Sequence, residues 1–220
     1  MRLILASSSP RRIQLLEQIG LSAKVHPSTL PEVVSSANPR EVVKQLSRQK
    51  AEDIAAKIRD GRIAWKEDED TARAGDALIA GPGTVSESKE LDAVGNWAVI
   101  GADTVVAVDD QILGKPKSHE EAYGMIHSLQ GRMHQVYTGV TVVTSEKTVT
   151  FVEKTEVEVA PMTKQEIRSY ADSAEPMDKA GSYGIQGLFG RYVTGIHGDY
   201  NNIVGLPVAH LYQVLKELNS

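Results

Sequence analysis

The sequence predicts a mixed α/β fold in which helices cover the faces of a β-sheet. Segments with apolar residues at helical spacing interleave along the chain with apolar or alternating segments typical of strands. Residues 134–143 and 148–161 both alternate with period two, which indicates a pair of neighbouring antiparallel strands. Hydrophobic residues make up 41% of the chain, so we expect a single domain, residues 1–220, whose core needs no disulfides.

The first predicted unit is a strand, a tight turn and a helix over residues 3–20. "LILA" at 3–6 indicates a short buried strand. Ser9 is a candidate N-cap, Pro10 suits the first helical position, and Gly20 is a stop signal. The serine-rich turn therefore lies at the N-terminus of the first helix.

A second helix is predicted next, followed by an insertion. The helix begins at Asn38–Pro39 and ends at "DGR", residues 60–62. Residues 59–98 are then rich in Gly, Ser and charge, with "KEDED" at 66–70. We expect a surface insertion here, with room for a short helix around 70–79, and not a domain of its own.

The second half begins with a central strand and a helix. "WAVIGADTVVAV" at 97–108 is apolar almost throughout, which indicates a buried strand. Residues 109–110 form the next turn, and 111–116 predict a short strand and loop. The S-x-x-E pattern at 118–121 predicts a capping box for a helix that ends at Gly131.

Two helices and a glycine-rich segment are predicted after the strand pair. Thr163 and Glu166 repeat the capping-box spacing at the start of the first helix. The glycine-rich segment covers 179–193, and residues 205–218 predict a closing helix with Pro207 near its start.

Composition excludes several classes of function. The chain has no cysteine, which rules out disulfides, thiol catalysis and cysteine-based metal sites. Its 24 basic and 29 acidic residues give a net charge of −5, which argues against a general nucleic-acid binder. No apolar run approaches the ~20 residues of a membrane span, and the N-terminal apolar stretch is too short for a signal peptide. We therefore expect a cytoplasmic protein that binds neither nucleic acid nor membrane.

The serine-rich turn carries a pattern typical of an anion site. Backbone N–H groups and the helix dipole point at a turn that precedes a helix, and Ser7–Ser9 add hydroxyl donors. Arg11 and Arg12 add guanidinium groups suited to phosphate oxygens, although a cation in the first turn opposes the helix dipole. The pattern favours a phosphate site; the alternative is a capped helix with two solvated arginines.

Lys50 and Asp103 are charged residues in apolar surroundings. Lys50 lies four residues from both Leu46 and Ile54, so it either snorkels at the rim of the core or serves a site. Asp103 lies in a predicted buried strand, where an unpaired carboxylate is costly. It is either bonded to backbone amides or acts as a metal ligand or general base. The small residues of "GAD" favour the functional interpretation, because they permit a close approach.

Further charged residues occur in predicted loops. Lys115 in "GKP" and Lys179 in "DKAGSYGIQG" lie beside glycines where sheets bind ligands, although ordinary turns explain them equally. Glu32, taken alone, is an exposed loop carboxylate. Together the cations and carboxylates predict a metal-assisted phosphoanhydride hydrolase. The cations are Arg11, Arg12, Lys50, Lys115 and Lys179, and the carboxylates are Glu32 and Asp103.

Six segments, taken in order, carry a family resemblance. They are "LILASSSPRR", "SRQKA", "IGADTVVAVDDQILGKP", "LQGRMHQVYTGV", "EPMDKAGSYGIQG" and "GDYNNIVGLP", and they span nearly the whole chain apart from 59–98. Together they resemble the Maf family of nucleoside triphosphate pyrophosphatases. The resemblance implies a bent mixed β-sheet flanked by helices with a cleft between two lobes, related to the inosine triphosphate pyrophosphatases. It also implies a divalent cation, Mg²⁺ or Mn²⁺, and makes a homodimer a candidate state.

The resemblance assigns roles to individual residues. Asp103 occupies the position of the proton acceptor, and whether it acts mainly as base or as metal ligand stays open. With Glu32 it is an expected ligand of the cation. The other matching active-site positions are Ser8, Arg12, Lys50 and Lys115. The insertion at 59–98 departs from the family pattern, as does "PE" at 31–32, where many members have two acidic residues.

Three positions bear on the base of the nucleotide. The family branch active on dTTP and UTP has Arg in "SPRR", Thr after "GAD" and Gln in "YGIQG", and this chain has Arg11, Thr104 and Gln186. A neutral amide both donates to and accepts from the edge of a pyrimidine. The resemblance implies a house-cleaning dTTP/UTP pyrophosphatase. The alternatives are a pyrophosphatase for non-standard purine nucleotides and a nucleotide-binding regulator of cell division.

Overall fold

The computed structural model describes residues 1–63, 96–109 and 111–220. Most of the predicted insertion at 59–98, including the short helix predicted around 70–79, lies outside the described residues. The rest of the chain contains the predicted interleaving of helices and strands, which confirms the mixed α/β class. Within the described ranges, no helix is long and apolar enough to cross a membrane.

Seven strands in the described part of the chain form one mixed sheet. They are β1 (Arg2–Leu5), β2 (Ala23–Val25), β3 (Trp97–Val108), β4 (Gln111–Leu113), β5 (Met133–Thr144), β6 (Thr148–Val159) and β7 (Val193–His197). The order across the sheet is β2-β1-β3-β5-β6-β7, with β4 paired to the end of β3. β1 is parallel to β2 and β3, whereas the other pairs are antiparallel. The predicted strand pair, β5 and β6, is confirmed.

Six α-helices and three short 3-10 helices complete the described fold. The α-helices are α1 (Pro10–Gln18), α2 (Pro39–Arg59), α3 (His119–Leu129), α4 (Lys164–Ala171), α5 (Tyr200–Val204) and α6 (Val208–Leu218). The 3-10 helices are Pro176–Asp178, Ala180–Ser182 and Leu188–Tyr192. α1 and α2 begin directly after the predicted caps Ser9 and Asn38. The Asn38 side chain accepts bonds from two backbone N–H groups of α2, whereas Ser9 makes no such bond to α1.

The caps of α3 and α4 differ from each other. Thr163 and Glu166 form the reciprocal capping box at α4, as predicted. At α3 the Ser118 hydroxyl accepts from the N–H of Glu121 (3.1 Å), but the Glu121 carboxylate accepts from the N–H of Lys117 (2.8 Å). The box predicted there is therefore half formed, because the glutamate bonds one residue further toward the N-terminus.

Besides the three 3-10 helices, two strands and one α-helix have no counterpart in the sequence prediction. β2 has three residues at the edge of the sheet, α5 has five, and β7 contains a glycine and faces a bulge in its pairing with β6. Segments this short show no clear hydrophobic period. Pairing and packing with distant parts of the chain therefore decide their conformation.

Helix α2 covers one face of the central strands at very short range. A Cβ added to Gly101 of β3 would lie 2.2 Å from the backbone oxygen of Ser47, and one added to Gly139 of β5 would lie 2.3 Å from that of Val43. No residue with a side chain fits at these two positions without moving the helix backbone. The close approach that "GAD" permits is made by helix α2, whose middle lies directly over β3.

The opposite face of the sheet carries two separate hydrophobic clusters. The first cluster joins α1 and α6 to β1 and to the first half of β3, including Ile100. The second cluster joins α3, α4 and the last 3-10 helix to the second half of β3, including Val106. Between them on this face, Thr104 of β3 lies opposite Thr138 of β5. We call this pair of threonines the polar seam.

His134 of β5 is a buried titratable group inside the second cluster. Its Nε2 lies 2.8 Å from the Tyr183 hydroxyl, and burial, together with the positive charge of Arg132, lowers the pKa of His134 to about 4. The unfolded chain takes up this proton near pH 6.5 and the folded protein only near pH 4. We therefore expect the free energy of unfolding to fall, by about 3 kcal/mol, as pH drops through that window.

Urea denaturation from pH 7 to pH 4 measures this loss. A His134→Phe variant has no group that titrates at this position, so its stability should decline less over the same range. Equal declines for the parent and the variant would contradict the assignment.

Candidate active site

Arg12 connects the serine-rich turn to the polar seam. Its Nε donates to the backbone oxygen of Gly205 (2.8 Å), its Nη1 to the Ser7 hydroxyl (3.1 Å) and its Nη2 to the Thr104 hydroxyl (3.1 Å). The guanidinium is thus fixed by the turn, by β3 and by the residue that follows α5. Arg12 is not the solvated arginine of the alternative interpretation, and three of its five N–H groups have protein partners.

Three hydrogen bonds run in one direction through the polar seam. The Thr138 hydroxyl donates to the backbone oxygen of Asn202 (2.9 Å), so the Thr104 hydroxyl is the donor in its 2.9 Å bond to Thr138. Thr104 in turn accepts from Arg12. A positive donor at one end strengthens each following bond of such a chain. Sequence reasoning missed Thr138 and Asn202, because nothing local links two residues that are 64 positions apart.

The charges around Arg12 place both predicted carboxylates in the same region. Burial lowers the pKa of Arg12, and the negative charge of Asp103 opposes this shift, as does that of Glu32 to a smaller extent. Arginine is effectively always protonated in proteins, so Arg12 carries a positive charge at this site. The serine-rich turn therefore lies within electrostatic reach of Asp103 and Glu32.

Lys50 holds the two carboxylates together. Its Nζ donates to Oδ1 of Asp103 (2.5 Å) and lies 2.8 Å from Oε1 of Glu32. The Lys50 side chain is 19% exposed and that of Asp103 14%, so water screens this pair only weakly. Gly101 explains the geometry: it shares a face of β3 with Asp103, and the close approach of α2 there brings Lys50 over the carboxylate.

The loop that carries Glu32 is attached to α2 through two glutamines. The Gln49 amide accepts from the N–H of Val33 (3.2 Å) and donates to its backbone oxygen. The Gln45 amide accepts from the N–H of Ser35 (3.0 Å) and donates to its hydroxyl (2.9 Å). Four residues separate the glutamines, so their side chains leave the same face of the helix. Sequence reasoning missed both, since glutamine on a helix is ordinary.

Arg11 and Lys179 lie on the side of the second cluster. Arg11 pairs with Asp178 (3.3 Å), which joins α1 to the first 3-10 helix. Lys179 donates to the backbone oxygen of Glu175 and to Oδ1 of Asp178, both at 2.6 Å. The charge of Lys179 is therefore matched within its own loop, whereas sequence reasoning counted it among the cations that suit a polyphosphate.

Ser8, Lys115 and Gln186 are exposed. None of the described residues forms an ion pair with Lys115, which lies in the loop between β4 and α3. That loop is attached to the glycine-rich segment, because the backbone oxygen of Gly114 accepts from the N–H of Gly181 (3.0 Å). An exposed ammonium on an anchored loop is free to meet an anionic ligand.

Asp103 and Glu32 fit a divalent cation in the chemistry of their donors. Both carboxylates converge on one cationic atom, Nζ of Lys50. Among residues 1–63, 96–109 and 111–220, no group of three or more His, Asp or Glu side chains is arranged to hold a metal. Mg²⁺ is commonly bound through one or two carboxylates, with water and phosphate oxygens completing its shell. The two carboxylates suit such a shared site and not a closed protein cage.

Comparisons with known proteins agree over almost the whole chain. The family model described as "Maf-like protein" matches residues 2–218. The dTTP/UTP pyrophosphatase of Agathobacter rectalis is 47% identical, over 99% of this chain and 97% of that protein. The protein of the same name from Carboxydothermus hydrogenoformans is 44% identical, over 99% of this chain and 98% of that protein. The dTTP/UTP pyrophosphatase of Bacillus thuringiensis subsp. konkukian is 38% identical, over 99% of this chain and 96% of that protein.

Proposed function

The chain belongs to the Maf-like protein family, and from that premise we propose that it is a nucleoside triphosphate pyrophosphatase acting on dTTP and UTP. It hydrolyses an acid anhydride and yields a nucleoside monophosphate and pyrophosphate. One observation carries the proposal: adjacent residues of β3, Asp103 and Thr104, join the Lys50 pair to the Arg12 network. The two side chains leave opposite faces of the sheet, but the negative charge of Asp103 acts on Arg12, so a carboxylate base and phosphate-binding cations lie close together around this point of the central strand.

The serine-rich turn and its neighbours bind the phosphates. α1 has no acidic residue in its first turn and no side-chain cap, so the N–H groups of that turn are available to an anion. Arg12 contributes a fixed positive charge at the seam, and Lys50 and Lys115 contribute ammonium groups. Ser8, exposed in the turn, adds a hydroxyl donor.

Asp103 accepts a proton from the attacking water. Lys50 donates to Oδ1 of this carboxylate, and no described residue donates to Oδ2, so lone pairs of the carboxylate stay open to the water and to a shared cation. The water attacks the α-phosphorus in line with the departing pyrophosphate, and its proton passes to Asp103. Lys50 orients the base and offsets the repulsion between Asp103 and Glu32.

A divalent cation, Mg²⁺ or Mn²⁺, belongs to the proposal, with Asp103 and Glu32 as its protein ligands. When bound, such a cation neutralises phosphate charge and polarises the phosphoryl oxygens. The glutamines on α2 fix the loop of Glu32, so this ligand is positioned before the substrate arrives.

Base selection is assigned to Arg11, Thr104 and Gln186. The Gln186 amide is exposed and offers both an NH₂ donor group and a carbonyl acceptor to a pyrimidine edge. Lys179, whose ammonium is bonded within its loop, supports this segment. The homodimer and the cytoplasmic location implied by the sequence stay predictions.

Pyrophosphate release from dTTP, UTP, CTP, ITP and 7-methyl-GTP, each with Mg²⁺ or Mn²⁺, tests the function. We expect dTTP and UTP to be hydrolysed with the highest kcat/KM, and EDTA to abolish turnover. A preference for ITP or 7-methyl-GTP would overturn the proposed substrate class. Nucleotide binding without turnover in either metal would overturn the enzyme itself.

A further inference from the structure

We propose that Glu175 is a positioning residue for base recognition, acting through the backbone turn that presents Gln186. This inference rests on the proposed function, because it assigns the fixed geometry of the turn to discrimination between pyrimidine bases. No role is assigned to Glu175 above. It contacts the turn although it lies eleven residues before Gln186 in the chain.

The turn itself is a tight one. The N–H of Gly187 donates to the backbone oxygen of Gly184 (3.1 Å), so Ile185 and Gln186 occupy its two central positions. Ile185 packs against both hydrophobic clusters, whereas Gln186 is exposed. The turn therefore lies where the clusters meet, on the face of the sheet that carries the polar seam, and it presents the Gln186 amide outward.

The Glu175 carboxylate bonds the segment directly after Gln186. Oε2 accepts from the N–H of Leu188 (2.8 Å), and Oε1 accepts from the buried Tyr170 hydroxyl (2.9 Å) and weakly from the N–H of Phe189 (3.5 Å). Burial, with Glu175 as the next cause, raises the pKa of Tyr170 well above its usual range, so the tyrosine stays a donor. Hydrogen bonds from neutral donors to an ionised carboxylate are stronger than hydrogen bonds between two neutral groups. The turn is thus fixed to the second cluster through one side chain.

The Glu175 carboxylate packs so closely against the turn that only glycine fits at position 187. A Cβ at this position would lie 2.4 Å from the carbon and from both oxygens of the Glu175 carboxylate. The φ of Gly187 is −105°, which other residues also adopt, so space and not backbone conformation requires the glycine. At the other end of the turn, Gly184 lies against the side chain of Lys179, whose ammonium binds the backbone oxygen of Glu175.

The test compares UTP with CTP, whose bases differ in the hydrogen-bonding edge that the Gln186 amide is proposed to recognise. Isothermal titration with each nucleotide in EDTA measures binding without turnover, and kcat/KM with Mg²⁺ measures the same preference during catalysis. We expect Glu175→Ala to reduce the UTP-over-CTP ratio about tenfold, Glu175→Gln to reduce it less, and Gly187→Ala to reduce it by displacing the carboxylate. Glu175→Ala should add no further loss of preference to Gln186→Ala, because both act through one amide.

Glu166→Gln is the matched control, since it also removes a carboxylate that accepts from backbone but lies at the cap of α4. It should lower stability without changing the ratio, whereas loss of stability alone would lower both kcat/KM values together. Glu175→Gln and Gly187→Ala keep the test valid if Glu175→Ala does not fold. An unchanged ratio in these variants, additive losses in the double variant, or a parent that binds UTP and CTP equally would overturn the inference. A parent that prefers UTP in binding but releases no pyrophosphate would overturn the proposed function alone.

Discussion

Replacing Asp103 with Asn is expected to reduce kcat about a thousandfold while the protein still folds and binds nucleotide. The amide keeps the size of the carboxylate and still offers an oxygen to Lys50, but it accepts no proton from water. Steady-state pyrophosphate release from UTP measures kcat, and the urea midpoint of unfolding shows whether the fold is retained. Titration with UTP in EDTA shows whether nucleotide binding survives.

Asp109→Asn is the control for this substitution. Asp109 directly follows β3 and is paired with Arg132, so this variant also removes a carboxylate that is paired with a basic residue, but at the far end of the strand. Its φ of +50° is one that Asn tolerates well. Turnover of Asp109→Asn should match the parent. An Asp103→Asn enzyme as active as the parent would refute the role of Asp103 as proton acceptor.

Gly101→Ala is expected to lower the free energy of unfolding by about 3 kcal/mol and to impair catalysis as well. The added methyl group would lie 2.2 Å from the backbone oxygen of Ser47 and 2.7 Å from the backbone nitrogen of Ala51. Helix α2 must move away from β3 to accommodate it. Lys50 moves with the helix and separates from Asp103, so kcat should fall even in the fraction that remains folded.

Gly124→Ala is the matched comparison. Gly124 lies within α3, and no atom is near enough to meet an added Cβ. Alanine favours a helix over glycine by roughly 0.5–1 kcal/mol, so this variant should be as stable as the parent or more stable. Equal urea midpoints for Gly101→Ala and the parent would show that the close packing of α2 on β3 does not depend on glycine at position 101.

Local signals in the sequence were sufficient for much of the fold. Asn38 with its following proline marked the start of α2, and the apolar run around Asp103 marked the central strand. Asp103 and Lys50 stood out because each is charged in apolar surroundings, and the structure places them 2.5 Å apart. Residues whose chemistry conflicts with their local position are thus visible without a structure.

Residues that act through distant partners left no such signal. Glu32 looks like an ordinary exposed carboxylate until the loop is fixed to α2 beside Lys50. Thr138 fits an alternating strand on either face, and its bond to the backbone of Asn202 depends on how α5 packs. Glu175 lies between two short helical segments, and only the folded chain brings Leu188 to its carboxylate. Tertiary contact, and not local preference, gives these side chains their partners.

The three twelve-residue strands at the centre of the sheet bear on how the molecule can move. They run beneath both hydrophobic clusters. A rotation of one cluster relative to the other would therefore have to break the backbone hydrogen bonds that join these strands. Hinge bending between the two halves is therefore costly. Asp103 lies on one of these strands, so the fold holds its backbone rigidly in place.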